Sequence, residues 1–181
     1  MRIRPATTAD AAALAAIYGH HVLHGFGTFE EIAPSMEEVG RRLAAVLSHG
    51  LPYLVAEIDG AVAGFAYASP FRTRAAYRYT VEDSVYIAPD RLGQGIGKAL
   101  LTAVIGEAEA LGLRQMVAMI GDSGNAGSVG LHRACGFESS GVLRGLGFKA
   151  GRWVDVVTMQ RVLNSGVAEA PETPGIDWGG N

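Results

Sequence analysis

A single cysteine, Cys135, leaves no basis for an intramolecular disulfide framework or a cysteine-based zinc cluster. Long apolar runs are also missing: no uninterrupted stretch approaches the roughly 20 residues that span a bilayer. Neither sign of charge is in large excess. Fifteen Lys and Arg against 18 Asp and Glu give a net charge of −3, which argues against broad electrostatic binding to nucleic acid or an anionic membrane. The N-terminal MRIRPATTADAAALAAIY sets two arginines before an Ala-rich stretch, but Asp10 interrupts it and no clear cleavage site follows. A secretory leader is therefore not expected, and the cytoplasm is the expected compartment. What the chain does have is core material, with hydrophobic residues making up 49% of 181. A domain of this size buries roughly 70% of the surface its unfolded chain exposes. One domain is expected over residues 1–163. Residues 164–181 carry Gly, Pro and Glu without an apolar period and read as a flexible tail.

The order of elements follows from the periodicities. Arg2 to Arg4 reads as a short strand ended by Pro5, and Thr7 or Thr8 caps a helix with Leu14, Ile17, Tyr18 and His21 or Val22 on its apolar side. A loop from Gly25 to Pro34 carries Phe26 and Phe29. Ser35 and Glu38 form a capping box for a second helix with Met36, Val39, Leu43, Val46 and Leu47 on one face. Strands over 53–58 and 61–67 flank Asp59-Gly60, a two-residue hairpin signal. An Arg-rich connector, 71–78, leads to a strand over 80–88. A helix using Leu100, Leu101, Val104 and Leu111 ends at Gly112, and a short strand follows over 115–120. Asn125 or Ser128 opens a further helix ended by Gly136. Strands near 137–147 and 152–161 meet around Lys149-Ala-Gly151. This order predicts an α/β to α+β fold with a mixed sheet.

The informative feature is Gly93-Gln94-Gly95-Ile96-Gly97-Lys98, between a strand and a helix. Alternate glycines let the backbone approach a ligand closely, and the free N–H groups of a helix start favour a pyrophosphate. The same glycines would also serve a tight turn with no ligand. A nucleotide triphosphate loop does not fit, because Leu92 occupies the first glycine position and Ala99 the position of the Mg²⁺-binding hydroxyl. A dinucleotide fingerprint fits poorly: the spacing is G-x-G-x-G, and the first acidic candidate, Asp122, comes too late.

The loop resembles the coenzyme A loop of the GNAT N-acetyltransferases, [QR]-x-x-G-x-[GA] opening a helix, with Gly95 and Gly97 matching and Leu92 in place of Gln or Arg. Asn125, Ser128 and Leu131-His-Arg-Ala-Cys-Gly-Phe137 resemble the family's N-x-x-S…LYxxxGF segment. TVEDSVYIAPD, LHRACGF and GVLRGLGFKAGRWVDVVTMQ are similar to the phosphinothricin and methionine sulfoximine acetyltransferases, in which a histidine, here His132, replaces the usual tyrosine.

That resemblance implies a mostly antiparallel GNAT-like sheet flanked by helices, with acetyl-CoA as co-substrate. It implies that Gly93 to Lys98 hold the pyrophosphate and that amides around Val85, Tyr86 and Ile87, with Asn125 and Ser128, hold the pantetheine arm. Acetyl transfer needs a base, oxyanion stabilisation and a proton for the leaving thiolate. The resemblance makes Glu82 the base, where the residues alone allow a solvated strand carboxylate, and gives His132 a proton-exchange role. Asp83, by alternation, points to the opposite strand face. Arg72, Arg74 and Arg78 with Tyr77 would bind an acceptor carboxylate in bidentate fashion, or form an exposed basic connector. The resemblance favours the first, with Arg74 and Tyr77 matching best, and Phe29 would cover the acceptor. His20 and His24, four apart, lack the acidic partner of a metal motif, and no metal is expected. Cys135 reads as a buried structural thiol and Trp153 as a packing anchor.

The expected activity is acetylation of a small amino-acid-like acceptor by a homodimer, with no nucleic acid or membrane partner. A protein N-terminus or a polyamine as acceptor, a coenzyme A sensor without turnover, and a nicotinamide enzyme are the rival readings.

Overall fold

The computed structural model describes residues 1–177. Strands β1 (Arg2–Pro5), β2 (Tyr53–Ile58), β3 (Ala61–Pro70), β4 (Thr80–Ile87), β5 (Gln115–Gly121), β6 (Glu138–Lys149) and β7 (Arg152–Val162) form one seven-stranded sheet in the order β1-β2-β3-β4-β5-β7-β6. All neighbours are antiparallel except β4 and β5. Four helices flank it: α1 (Ala11–His24), α2 (Met36–Ser48), α3 (Ile96–Ala110) and α4 (Ala126–Ala134). The mixed sheet with flanking helices is the architecture that the element order predicts.

Local chemistry explains the boundaries. Thr7 opens a 3-10 turn, Thr8–Asp10, that runs into α1, and its amide and hydroxyl both donate to the Asp10 carboxylate. The Ser35 hydroxyl accepts from the Glu38 amide at the start of α2. Val39, Leu43 and Val46 of α2 are buried, but Met36 and Leu47 are exposed, because a helix covering one layer buries only a narrow stripe. Leu111 likewise emerges at the end of α3, where Gly112 turns left-handed and stops the helix. β3 runs three residues beyond the expected Tyr67, since β4 pairs with it as far as Pro70.

Alternation divides the core into two layers. Tyr53, Phe65, Tyr67 and Tyr86 face α1 and α2, with Tyr53 stacked on Tyr67 at 4.7 Å and Tyr86 edge-on to Tyr18 at 4.9 Å. On the other face Ile87 packs toward α3, where Gly97 also faces Leu131 of α4. Trp153, expected as a packing anchor, is 68% exposed and touches Phe148. Leu143, Leu146 and Phe148 of the same hairpin are exposed too.

Residues 164–177 form no helix or strand. Asn164 donates to the Glu109 and Leu113 carbonyls, the Tyr79 hydroxyl donates to the Thr173 carbonyl, and the Ile176 amide donates to the Arg78 carbonyl. The last part of the expected tail, 178–181, lies outside the described residues.

The β6–β7 turn places Ala150 at φ 48°, ahead of Gly151 at φ 78°. A left-handed alanine costs roughly 1–2 kcal/mol, and asparagine tolerates that conformation better. Ala150 is exposed, so Ala150→Asn loses no packing. It is expected to raise the melting temperature by about 2 °C, measured by calorimetry.

Candidate active site

The parallel pair β4–β5 is joined only over Thr80↔Gln115, Val81↔Met116 and Glu82↔Val117. Beyond Glu82 the two strands part, although β4 continues to Ile87 and β5 to Gly121. Each stays paired on its outer side, β4 with β3 and β5 with β7. The gap therefore presents an unpaired strand edge inside the sheet. The Ala88 amide donates to the Ala63 carbonyl, and hydrogen bonding alternates along an antiparallel strand. The amides of Val85 and Ile87 consequently face the gap, whereas that of Tyr86, also expected to serve the cofactor, turns toward β3. The Ile87 carbonyl, left without a strand partner, accepts from His21 Nε2 at 2.8 Å. Burial lowers the His21 pKa, keeping the ring in its neutral, Nε2–H form.

The gap opens into a cleft of about 990 Å³. At one end lies the glycine loop. Gly93 and Gly95 have φ of 75° and 78°, and a Cβ added to either would meet nothing within 4 Å. Gly95 directly precedes α3, so the first amides of that helix are open to the cleft. Gly93, Gly95, Ile96, Gly97 and Lys98 line it, as do Val85, Tyr86, Ile87, Asn125 and Ser128. Gln94 is exposed and outside the lining. Asn125 Oδ1 accepts from the Ser128 amide and so caps α4, which leaves the amide nitrogen of its side chain for a ligand. Such a cradle fits a pyrophosphate with an extended arm beside β4.

Glu82 stands where the strands part. Burial pushes its carboxyl up to about 7, the adjacent Asp83 charge adds to the rise, and Arg72 opposes it. Arg72 thus reaches Glu82 electrostatically while its guanidinium lies 4.4 Å from the Phe71 ring centroid. Arg74 and Tyr77, the other expected acceptor residues, are exposed on the connector and do not line the cleft. Phe29 does line it, lying over Gly147, where an added Cβ would sit 2.0 Å from the ring. A side chain at residue 147 would displace Phe29. His132 is 4% exposed, with Nε2 2.9 Å from Asp83 Oδ2 and Nδ1 2.8 Å from the Ser128 carbonyl. Asp83 points to the face opposite Glu82, as alternation predicts.

A family profile, Acetyltransferase (GNAT) domain, matches the sequence over residues 3–158. The chain belongs to the GNAT acetyltransferases. It is similar to the phosphinothricin N-acetyltransferase of Alcaligenes faecalis, with 55% identity over 163 residues, 90% of this chain and 83% of that one. The L-methionine sulfoximine/L-methionine sulfone acetyltransferase of Pseudomonas paraeruginosa is 42% identical over 163 residues, 90% of this chain and 94% of the relative. A crystal structure of a GNAT phosphinothricin acetyltransferase from Sinorhizobium meliloti in complex with AcCoA superposes with a TM-score of 0.92 at 47% identity, covering 97% of this chain and 94% of that chain. This GNAT chain is accordingly an enzyme, an N-acetyltransferase.

Three cleft features escape sequence reasoning. Arg91 lines the cradle one residue before Leu92, the position where the family motif carries Gln or Arg. The basic side chain was visible in the sequence, displaced by one. Lys149 is buried and donates to the Gly25 and Thr28 carbonyls, both at 2.8 Å, fixing the loop that carries Phe29. No sequence signal marks a lysine that will bind carbonyls more than 100 residues away. The Asp83–His132 pair is the third.

Gly95→Val would place a β-branched side chain in the cradle at a left-handed φ. The expected result is acetyl-CoA binding weakened at least about tenfold, read by titration calorimetry, with the strain alone worth roughly 1–2 kcal/mol.

Proposed function

We propose that this enzyme transfers the acetyl group of acetyl-CoA directly to the amino group of a small amino-acid-like acceptor, of the phosphinothricin, methionine sulfoximine or methionine sulfone type. The observation that carries the reading is Glu82, a half-buried carboxyl at the parting of β4 and β5, with its pKa raised to about 7. An amino acid's ammonium group is charged at neutral pH, and a base with a pKa near the working pH removes its proton most effectively. The names of the similar enzymes supply the acceptor class. Arg72, close enough to influence Glu82, favours an acceptor with a carboxylate and disfavours a polyamine.

In this reading the cradle from Gly93 to Lys98, with Arg91, binds the pyrophosphate, and Asn125 and Ser128 hold the arm. Glu82 takes the amine proton, and the free nitrogen attacks the thioester carbon. The Val85 and Ile87 amides, fixed by the sheet before substrate arrives, polarise the carbonyl oxygen. His132 serves the proton balance of the leaving thiolate. Phe29 covers the acceptor, and Arg72 meets its carboxylate. We further propose that the enzyme works in the cytoplasm, with a second copy covering the exposed Leu143, Leu146, Phe148 and Trp153.

Purified protein with acetyl-CoA and each acceptor is expected to release thiol, with the acetylated product seen by mass spectrometry. Absence of release with every amino-acid acceptor, alongside release with a polyamine or a peptide N-terminus, would overturn the acceptor class. Because Glu82 must be ionised, kcat/KM is expected to rise with pH through about 7. Glu82→Gln should lower it by roughly 10²–10⁴. Arg72→Ala removes the charge that holds the Glu82 pKa down, so the acidic limb of the same profile should move to higher pH.

A further inference from the structure

His132 and Asp83 form the most enclosed polar pair in the cleft, at 4% and 6% exposure. The two atoms that His132 Nδ1 and Nε2 meet decide its protonation. Nδ1 lies 2.8 Å from the Ser128 carbonyl oxygen, which only accepts, so Nδ1 carries a hydrogen. Nε2 lies 2.9 Å from Asp83 Oδ2. With Nδ1 protonated, a neutral ring would turn a bare nitrogen lone pair on a carboxylate oxygen, so a second proton must lie between them. Ordinary carboxyl and imidazole acidities place it on the imidazole. Asp83 Oδ1 is buried and finds no hydrogen-bond partner among the described residues, so His132 is the hydrogen-bonding partner that compensates this carboxylate there.

We infer that Asp83 is a positioning residue for acetyl transfer, holding His132 as a doubly donating imidazolium on the face of β4 opposite Glu82. The inference rests on the acetyltransferase reading above and deepens it. His132, with both nitrogens donating, has no site at which to receive the amine's proton, and that work falls to Glu82 alone. The dyad supplies the other proton of the reaction. As the C–S bond breaks, its electron pair stays on sulfur. The thiolate takes the hydroxyl proton of Ser128, whose Oγ lies 3.4 Å from His132 Nδ1, and the Nδ1 proton replaces it. The imidazole left neutral turns its Nδ1 lone pair to the re-formed Ser128 hydroxyl and still donates Nε2–H to Asp83. It regains its proton from solvent, which restores the donation to the Ser128 carbonyl. Removal and return of protons thus occur on opposite sides of one strand, which keeps the acid from neutralising the base.

Other ionisable groups lie around the pair. From β4, Asp83 faces His132, with Glu82 behind it; α3 brings Lys98 to the same cleft; and β5 carries no titratable side chain between Gln115 and Gly121. The Asp83 carboxylate holds the His132 pKa above its usual 6.5 although burial alone would lower it.

The test is Asp83→Asn. Asparagine keeps the shape and can donate to Nε2, so it should leave the fold intact with a neutral imidazole. In the wild-type enzyme without substrate, the ring ¹⁵N resonances of His132 are expected to show imidazolium at pH 6.5. In Asp83→Asn its titration midpoint should fall below 6.5. In turnover, the basic limb of the kcat profile should move to lower pH with His132. The acidic limb should move the same way, because the charge that raises Glu82 is gone. At pH 8 kcat should drop at least roughly tenfold with the KM for acetyl-CoA unchanged. A neutral His132 at pH 6.5 in the wild-type protein would overturn the inference without recourse to any variant. An unshifted His132 midpoint or superimposable pH profiles in Asp83→Asn would overturn it as well. Should no acceptor be turned over, the ¹⁵N titration still decides the state of the dyad, so failure of the proposed activity and failure of the dyad are told apart.

Discussion

Three register pairs, Thr80 to Glu82 against Gln115 to Val117, are all that join the two halves of the sheet. Every chemical property of the cleft depends on β4 and β5 staying paired up to that point and parting beyond it. A sheet ordinarily satisfies its amides internally, and an exposed edge is a liability. Here the edge is interior, narrow and rigid, because β3 and β7 hold the outer sides of both strands. The amides of Val85 and Ile87 are therefore fixed in direction before any ligand arrives. His21 takes the Ile87 carbonyl, which would otherwise repel a carbonyl oxygen of a bound molecule.

The same parting sorts the ionisable groups. Successive residues of a strand point to opposite faces, so Glu82 and Asp83, neighbours in sequence, enter different environments. Glu82 stands among Tyr67, Ser84 and the α1–α2 side, with no hydrogen-bond donor strong enough to offset burial, and its pKa rises. Asp83 meets the α4 histidine, with Oδ2 2.9 Å from His132 Nε2. Two carboxylates adjacent in sequence thereby meet different surroundings, and the Asp83 charge adds to the rise at Glu82.

The loop over the cleft is secured from a distance. Lys149, at the end of β6, gives two hydrogen bonds to carbonyls of the Gly25–Thr28 segment, and Phe29 lies on the flat surface left by Gly147. A buried ammonium would be unfavourable without those acceptors. The residues proposed to face the acceptor come from segments far apart in sequence, so their mutual placement is a product of the sheet order.

Much of the fold was legible because it rests on local rules. The 3.6-residue period of Leu100, Leu101 and Val104, the Ser35–Glu38 cap and the Asp59-Gly60 turn each specify an element through neighbours a few residues away. The cradle was legible for the same reason: Gly93 and Gly95 sit where only a residue without a side chain adopts that backbone cheaply. The sequence by itself also determined that Glu82 and Asp83 face opposite ways, since alternation needs no tertiary knowledge. Tertiary structure alone decided what each carboxylate would meet. The partner of Asp83 lies 49 residues on, that of Lys149 more than 120 residues back, and the length over which β4 and β5 pair is fixed by strands on either side of them. Burial and pairing between distant segments set acidity and direction, and no window of sequence contains both partners.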